Sequence, residues 1–270
     1  MTGRDVPITL DGRDIEAKFW GPAPEAAPTI VMLHEGLGAV ALWRDVPQKL
    51  AELTGCGVFA YSRFGYGKSG PVTLPRPLTY MHDEALQNLR RILDAAGIQR
   101  AILLGHSDGG SIAAIYAGGV QDFRLRGLIL IAAHFFNEDI CVASIAAAKI
   151  AYETSNFREK LARYHADVDN AFWGWNQAWL DPGFRDWRVD DYIATIRVPV
   201  LLLQGSADEY GTLAQFEVFK AEAYCPVETA IIPGAGHSPH ISHPAETLPQ
   251  IAAFIDRIRR LEAVSMQNNA

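Results

Sequence analysis

A serine between two glycines is the residue of this chain best placed for covalent chemistry. Ser107 lies in the segment 105–109 (Gly-His-Ser-Asp-Gly), between an apolar run at 101–104 and a stretch of small and apolar residues at helical spacing. The pattern G-x-S-x-G between a strand and a helix is typical of a nucleophile elbow. The two glycines lack the Cβ atoms that would clash across so sharp a turn. We therefore predict that Ser107 is a nucleophile held clear of its neighbours at the start of a helix.

A serine hydroxyl needs a base within hydrogen-bond reach to act as a nucleophile at neutral pH. Our candidate is His237, in a glycine-rich loop just after the last predicted strand. His240 and His243 follow closely, but they fall toward or within the start of the last predicted helix. We expect His106 to point away from the cleft because it flanks the corner of the elbow. We expect His34, at the end of a strand, to support the loop that follows it.

The base in turn needs an acid to orient it, and Asp208 is our candidate. It follows an apolar strand, which brings it to the same edge of the predicted sheet as the other two residues. Glu209 is the nearest rival, and the pair Glu138-Asp139 is a less favoured alternative. The chain order Ser107, Asp208, His237 is the order that accompanies this kind of elbow.

Two backbone amides should stabilise the oxyanion that forms during attack on a carbonyl carbon. One should be the amide of Asp108, the residue after the nucleophile. The other should come from the turn after the strand 29–34, where we choose Gly36 and keep Leu37 as the rival. A charge on the Asp108 side chain would oppose an oxyanion. We therefore expect that side chain to point away from it, toward an arginine or lysine.

Composition restricts the class of protein. The chain has 270 residues, of which 49% are hydrophobic, and a net charge of −7, which argues against nucleic acid or an anionic membrane as the main partner. The three cysteines are odd in number and far apart, as expected for buried or incidental thiols. The N-terminus has no apolar signal core, and no apolar run approaches the roughly 18 residues of a membrane span. We expect a cytoplasmic protein.

Three sequence patterns resemble known ligand-binding motifs, but each lacks a residue that the motif requires. The segment 67–69 (Gly-Lys-Ser) resembles the end of a phosphate-binding loop, but Ser62 stands where that loop needs glycine. His237, His240 and His243 have zinc-like spacing without a further ligand at a convincing position. The segment 105–109 is not a dinucleotide fingerprint, since it lacks G-x-G-x-x-G. We predict neither a bound metal nor a cofactor.

The order of predicted elements indicates an α/β fold. Apolar runs alternate with helical patterns, which predicts a mainly parallel central sheet flanked by helices. The predicted strands of this sheet are 29–34, 58–61, 101–104, 127–133, 198–204 and 227–232. The alternation stops between 136 and 196. We predict a core domain formed by residues 1–135 and 197–270, with 136–196 inserted as a helical cap over the carboxyl edge of the sheet, where such sheets bind ligands.

The predicted cap is rich in aromatic residues. Four of the six tryptophans of the chain fall between 173 and 187. Most of these rings should form the core of the cap itself, and a minority should face the serine as a pocket wall. This composition favours a hydrophobic or aromatic acyl or alcohol group as the bound ligand.

Two further segments carry a family resemblance. Segment 34–38 (His-Glu-Gly-Leu-Gly) is similar to the oxyanion loop H-G-x-x-G of lipases and esterases, with Glu35 in place of the first glycine. Segment 62–69 (Ser-Arg-Phe-Gly-Tyr-Gly-Lys-Ser) is similar to the turn D-x-R-G-x-G-x-S, with Ser62 and Phe64 as departures. Together with the elbow, these segments make the chain resemble the α/β-hydrolase superfamily over nearly its whole length. The resemblance is closest to small, cap-bearing bacterial serine hydrolases of the carboxylesterase kind.

The resemblance implies the α/β-hydrolase fold and places Ser107, Asp208 and His237 at the nucleophile, acid and base positions. We expect a cofactor-free serine hydrolase, a monomer or small homo-oligomer, that cleaves a small hydrophobic ester through an acyl-enzyme. The same triad could serve a C–C bond hydrolase, a thioesterase or a perhydrolase. Dehalogenases and epoxide hydrolases of this family use aspartate as the nucleophile, so the serine argues against them. The remaining alternative is a non-catalytic ligand-binding protein of the same fold.

Overall fold

The computed structural model describes residues 3–268, with side chains as far as residue 262, and contains two sheets. The outermost residues of the predicted core, 1–2 and 269–270, lie outside this description. The strands in chain order are β1 (Arg4–Asp5), β2 (Ile8–Leu10), β3 (Arg13–Ile15), β4 (Ala17–Trp20), β5 (Thr29–Leu33), β6 (Gly57–Tyr61), β7 (Ala101–His106), β8 (Leu125–Ile131), β9 (Val200–Gly205) and β10 (Val227–Ile232).

Eight strands form one sheet in the order β1-β4-β6-β5-β7-β8-β9-β10. The neighbours from β6 to β10 are parallel, while β1–β4 and β4–β6 are antiparallel. The prediction of a mainly parallel sheet is therefore confirmed. In such a sheet the carboxyl ends of the parallel strands meet at one edge, and β5, β7, β9 and β10 each lead there into one of the segments that the sequence singled out.

Helices cover both faces of this sheet. They are α1 (Val46–Thr54), α2 (Tyr80–Asp83), α3 (Arg90–Ala95), α4 (Asp108–Gly119), α5 (Asp139–Thr154), α6 (Phe157–Leu161), α7 (Val168–Leu180), α8 (Asp190–Ile193), α9 (Ala214–Glu222), α10 (Pro239–Ser242) and α11 (Pro244–Asn268). The sequence predicts a single helix over about 79–96, closed by Gly97. In the structure a π-helical stretch, Glu84–Leu89, joins α2 to α3. Within the described chain, no helix is both long enough and apolar enough to cross a membrane.

The central strands are apolar on both faces because helices bury both. Every residue of β5 and β7 is buried. Along β5, Val31 and Leu33 belong to one hydrophobic cluster, whereas Ile30 and Met32 belong to the other. Successive side chains of a strand point to opposite faces, so a continuous apolar run marks a strand covered on two sides.

The sequence predicts an N-terminal hairpin of strands 8–10 and 15–20 around a turn at Asp11 and Gly12, and the hairpin in the structure is shorter. β2 pairs with β3 around Asp11 and Gly12, whose φ angles of 53° and 72° are those of a tight hairpin turn. The second predicted strand, 15–20, does not continue in this hairpin. Its later part is β4, which pairs antiparallel with β6 in the main sheet. In this pairing Phe19 packs against Phe59 of β6, with ring centroids 6.5 Å apart.

The segment between β8 and β9 is helical, as predicted. It carries α5, α6, α7 and α8, and its only extended pairing in the described chain is a single antiparallel bridge between Phe136 and Arg188. We call residues 136–196 the inserted segment. Most of its aromatic rings pack on one another, for example Phe172 on Tyr152 with centroids 3.6 Å apart.

The close approach of α4 to β5 gives a prediction about stability. A Cβ atom at Gly109 would overlap the carbonyl oxygen of Leu33 and lie 2.7 Å from that of His34. We expect Gly109→Ala to lower the free energy of unfolding by about 2 kcal/mol or more, because neither backbone oxygen can move without distorting the sheet.

The matched control is Gly70→Ala, whose Cβ would meet no atom closer than 3.5 Å. This change should shift stability by no more than about 0.5 kcal/mol. Urea unfolding followed by circular dichroism measures both variants. Equal midpoints for the two would contradict the packing argument.

Candidate active site

The elbow around Ser107 has the strained geometry that its sequence predicts. Ser107 stands between β7 and α4 with φ 53° and ψ −120°, a conformation that non-glycine residues rarely adopt. The amides of Gly110 and Ser111 donate to its carbonyl oxygen, at 2.8 and 3.1 Å. A Cβ atom at Gly105 would overlap the carbonyl of Gly109. The turn therefore closes only because glycine occupies these positions, and such strain is typical of functional sites.

His237 and Asp208 form a hydrogen-bonded pair at the same edge of the sheet. His237 Nδ1 lies 2.8 Å from Asp208 Oδ1, and the amide of Tyr210 donates to the same oxygen at 2.9 Å. Burial of Asp208 opposes its ionisation, but the hydrogen bond and positive charge of His237 outweigh it and hold the pKa of the carboxyl below its usual value. An ionised carboxylate at this position orients the imidazole with Nε2 free to exchange a proton.

The rival acids contact other partners. Glu209 Oε2 accepts from the backbone amide of His237, at 3.1 Å, and not from its ring. Glu138 is engaged by Thr212 and by Gln215, whose side-chain amide donates to it at 2.7 Å. Asp139 is exposed and pairs with an arginine of the inserted segment. Of the candidates considered from the sequence, only Asp208 bonds the imidazole.

Ser107 and His237 line one cavity of about 190 Å³. Two of its other lining residues are tryptophans of α7. The complete set of other lining residues is Glu35, Gly36, Leu37, His106, Asp108, His134, Cys141, Ile145, Trp175, Trp179, Glu209, Tyr210 and Ser238. In the described chain, the Ser107 hydroxyl makes no hydrogen bond to the His237 ring. Such a bond is often long in a ligand-free site and shortens when the substrate binds.

Arg63 determines how the loop after β5 faces this cavity. Its guanidinium donates to the carbonyl oxygens of His34 and Glu35, the latter at 3.0 Å. The Glu35 carbonyl also accepts from His34 Nδ1 at 2.7 Å and from the amide of Gly38 at 3.1 Å. A peptide unit is planar and trans, so the N–H of Gly36 points away from Arg63. The predicted supporting role of His34 is thus confirmed, since its Nε2 also accepts from the Arg63 amide, at 3.0 Å.

The Asp108 carboxylate has an arginine neighbour, as expected, but it also has two partners that the sequence did not indicate. Tyr80 donates to Oδ2 at 2.5 Å, Trp179 Nε1 donates to Oδ1 at 3.2 Å, and Arg63 lies 3.9 Å away. Burial raises the pKa of this carboxyl, and the charge of Arg63 is the main opposing effect. Arg63 lies in the segment 62–69, so its motif was visible in the sequence, whereas Tyr80 and Trp179 carry no motif.

The expectation for His106 is wrong, because its ring lines the cavity. Its Nε2 donates to the carbonyl of His237 at 2.9 Å, and its Nδ1 lies 3.4 Å from Glu35 Oε2. The ring also packs on His240, with centroids 4.6 Å apart. The loop that carries His237 folds over the end of β7. The His106 side chain points away from the corner of the elbow but still lines the cavity, because this loop lies against it.

His134 is a further residue of the cavity that sequence reasoning did not single out. It follows the end of β8, and its ring lies 5.8 Å from that of His237 and 5.4 Å from that of Trp179. Among the residues that the structure describes, no group of three or more His, Cys, Asp or Glu side chains could hold a metal ion.

Comparison with known proteins assigns the family. The model of the alpha/beta hydrolase family matches residues 30–250, so the chain belongs to this family and is a hydrolase. A Caulobacter segnis relative that carries the name of a carbamate hydrolase, RutD, is 32% identical over 124 residues, which is 46% of this chain and 43% of that protein. The match therefore spans less than half of that relative. A proline iminopeptidase of Lactobacillus crispatus is 24% identical over 235 residues, covering 73% of this chain and 80% of that protein.

Solved structures show the same architecture. The carboxylesterase CesB of Bacillus subtilis superposes with a TM-score of 0.72 at 20% identity, covering 94% of this chain and 92% of that one. A bacterial membrane phospholipase A superposes with a TM-score of 0.74 at 20% identity, covering 95% of this chain and 87% of that one. At this level of identity the likeness is one of fold.

Buried histidines predict a loss of stability in mild acid. Burial lowers the pKa of His134 to about 3 and holds those of His34 and His240 well below their usual value. Below pH 6.5 the unfolded chain binds protons that the folded chain does not. Stability is therefore full above that pH and falls as the pH drops toward 3. For His134 we expect up to about 2 kcal/mol of loss between pH 7 and 5, and His34 and His240 should act in the same direction.

Urea unfolding at pH 7, 6 and 5 measures this effect. His240→Phe should reduce the pH dependence, because one of the buried histidines whose pKa is lowered is removed. His243→Phe is the control, since it makes the same change at a histidine of the same segment that is not buried. A wild-type stability that does not vary with pH in this range would refute the assignment of neutral histidines.

Proposed function

We propose that this hydrolase cleaves a carboxylic ester through an acyl-enzyme on Ser107. The observation that carries the proposal is the strained Ser107 on one cavity wall with His237, whose ring is bonded to Asp208 at 2.8 Å. Ser107 Oγ attacks the carbonyl carbon while His237 takes its proton. His237 then gives that proton to the leaving alcohol. A water molecule activated by the same ring releases the acid and restores the serine.

The oxyanion would be held by the backbone amides of Gly36 and Asp108. The Asp108 amide lies in the first turn of α4, where helix geometry leaves it without a carbonyl partner. The Gly36 amide is turned away from Arg63 by the bonds to the Glu35 carbonyl, which supports Gly36 over its rival Leu37. Trp175 packs so closely on Gly36 that a Cβ atom there would overlap its ring.

The inserted segment would act as a cap on a core formed by residues 1–135 and 197–270. Cys141, Ile145, Trp175 and Trp179 bring apolar surface from this segment to the cavity. A volume of about 190 Å³ suits a small acyl or alcohol group. These walls support a small hydrophobic or aromatic substrate.

Replacing the nucleophile tests the proposal directly. We expect Ser107→Ala to lower kcat/KM by at least ~10³-fold while the circular dichroism spectrum is retained, because no other group can form the acyl-enzyme. A fluorophosphonate probe should label Ser107 in the wild type. Ser155→Ala, at an exposed serine, is the control and should match the wild type.

The substrate panel should contain p-nitrophenyl butyrate, a thioester of butyric acid and a dienoate ring-cleavage product. Ester turnover well above that of the other two supports the proposal. Preference for the thioester or the dienoate would assign the same triad to a different bond. Full activity in folded Ser107→Ala would exclude the mechanism, and labelling without turnover of any substrate would favour a binding protein.

Arg63 should matter for the chemical step more than for substrate binding. We expect Arg63→Gln to lower kcat by about 10²-fold with little change in KM, because the Gly36 amide loses its orientation and the Asp108 carboxylate loses its counter-charge next to the oxyanion. Arg163→Gln, at an exposed arginine, is the control. The measurement is steady-state kinetics on the best ester of the panel.

Adding Asp108→Asn to Arg63→Gln separates charge from architecture. If the orphaned carboxylate opposes the oxyanion, removing it should recover part of the lost kcat. If Arg63 only supports the fold, the double variant should have a lower kcat than either single variant.

A further inference from the structure

The ring of His134 is a buried polar group that the chain leaves unsatisfied. His134 is 2% exposed, and its Nδ1 has no hydrogen-bond partner. In the described chain its Nε2 bonds no residue either. The backbone on both sides is fixed, since Ser111 Oγ donates to the His134 carbonyl at 2.6 Å and the Phe135 amide donates to Gln215 at 2.7 Å. The ring is therefore held at the cavity wall by its backbone and not by a partner of its own.

The His134 ring can bind a ligand through hydrogen bonds but not through an ion pair. Burial keeps it neutral at neutral pH, and the positive charge that His237 can carry acts in the same direction, while Asp208 opposes it more weakly. A neutral imidazole has one N–H donor and one nitrogen acceptor. Unpaired polar groups in a buried site discriminate strongly in favour of a ligand that pairs with them.

The residues that line the cavity with His134 restrict the kind of chemical group that can bind there. The lining residues from the inserted segment are Cys141, Ile145, Trp175 and Trp179, none of which is charged. That wall therefore offers no ion pair to a charged group of either sign. An anionic group would meet Glu35 and Glu209, which line the same cavity. A hydroxyl group is neutral and both donates and accepts, so it matches either tautomer of the ring.

We propose that His134 is a substrate-binding residue that hydrogen bonds a hydroxyl group, and that the enzyme prefers hydroxy-substituted esters. This inference rests on the proposed ester hydrolysis. The ring of His134 lies 5.8 Å from that of His237, so the bound hydroxyl is a few bonds from the carbonyl carbon that Ser107 attacks. The hydroxyl can belong to the acyl or to the alcohol part of the substrate.

Ester pairs that differ only by hydroxyl against methyl test the preference. On the acyl side, the pairs are the p-nitrophenyl esters of 2-hydroxypropanoic and 2-methylpropanoic acid, and of 3-hydroxybutanoic and 3-methylbutanoic acid. On the alcohol side, the pair is 2-hydroxyethyl and propyl butyrate. We expect kcat/KM to favour the hydroxy ester about tenfold in at least one pair.

His134→Phe keeps a ring of similar size without nitrogen atoms. In the pair that shows the preference, the ratio of kcat/KM for the hydroxy ester to kcat/KM for its methyl analogue should therefore fall to one or below. His134→Gln, which restores an amide near the position of Nε2, should recover part of the preference. His82→Phe is the matched control, because the Nδ1 of His82 is also buried and unpartnered but lies outside the cavity. Its ratio should match the wild type.

A binding measurement separates this inference from the proposed function. Ser107→Ala is titrated with methyl 3-hydroxybutanoate, methyl 2-hydroxypropanoate and 2-hydroxyethyl butyrate, and with their methyl-for-hydroxyl analogues, while tryptophan fluorescence is followed. Tighter binding of a hydroxy ester, lost when His134→Phe is added, supports the role of His134 even if no ester is turned over. Ester turnover with no hydroxyl preference in any pair, equal binding of all pairs, or a preference that survives His134→Phe would overturn it.

Discussion

A buried guanidinium connects the parts of this site that come from different strands. Arg63 is 2% exposed and bonds the carbonyls of the loop after β5, while it lies 3.9 Å from the Asp108 carboxylate at the start of α4. Removing one partner of a buried ion pair leaves an uncompensated charge, which costs about 3–5 kcal/mol. The loop and the elbow are therefore held in one mutual arrangement, and both proposed oxyanion donors, Gly36 and Asp108, belong to it.

The same cluster attaches the inserted segment to the nucleophile. Trp179 of α7 donates to Asp108 at 3.2 Å and to Tyr80 at 3.0 Å, and Trp175 of the same helix packs on Gly36. The tryptophans that line the cavity thus also contact the two residues whose amides would stabilise the oxyanion, Trp175 at Gly36 and Trp179 at the side chain of Asp108. A change in the inserted segment should reach the chemical step through these contacts, in addition to altering the shape of the cavity.

The sequence alone was sufficient for the fold, for the strained elbow and for the choice of candidates for the proposed triad. Apolar runs covered on both faces predicted the central strands, and two glycines flanking Ser107 predicted the strained turn, because each signal comes from residues close together in the chain. Asp208 and His237 could be chosen because both follow parallel strands that end at one edge of the sheet. Glu209 remained a rival until the structure placed its carboxylate on the backbone amide of His237.

Tertiary structure decided what depends on contacts between distant segments. Trp179 and Asp108 are 71 positions apart, and no periodicity relates them. The passage of β4 into the main sheet, the position of His106 on the cavity wall and the unpaired ring of His134 follow in the same way from packing. The physical reason is that burial makes the pairing of a polar group decisive for its role, and the partner is supplied by whichever segment folds against it. The sequence by itself therefore determined the fold, the elbow and the candidates for the triad, whereas the folded chain decided which charges meet and which polar group is left for a ligand.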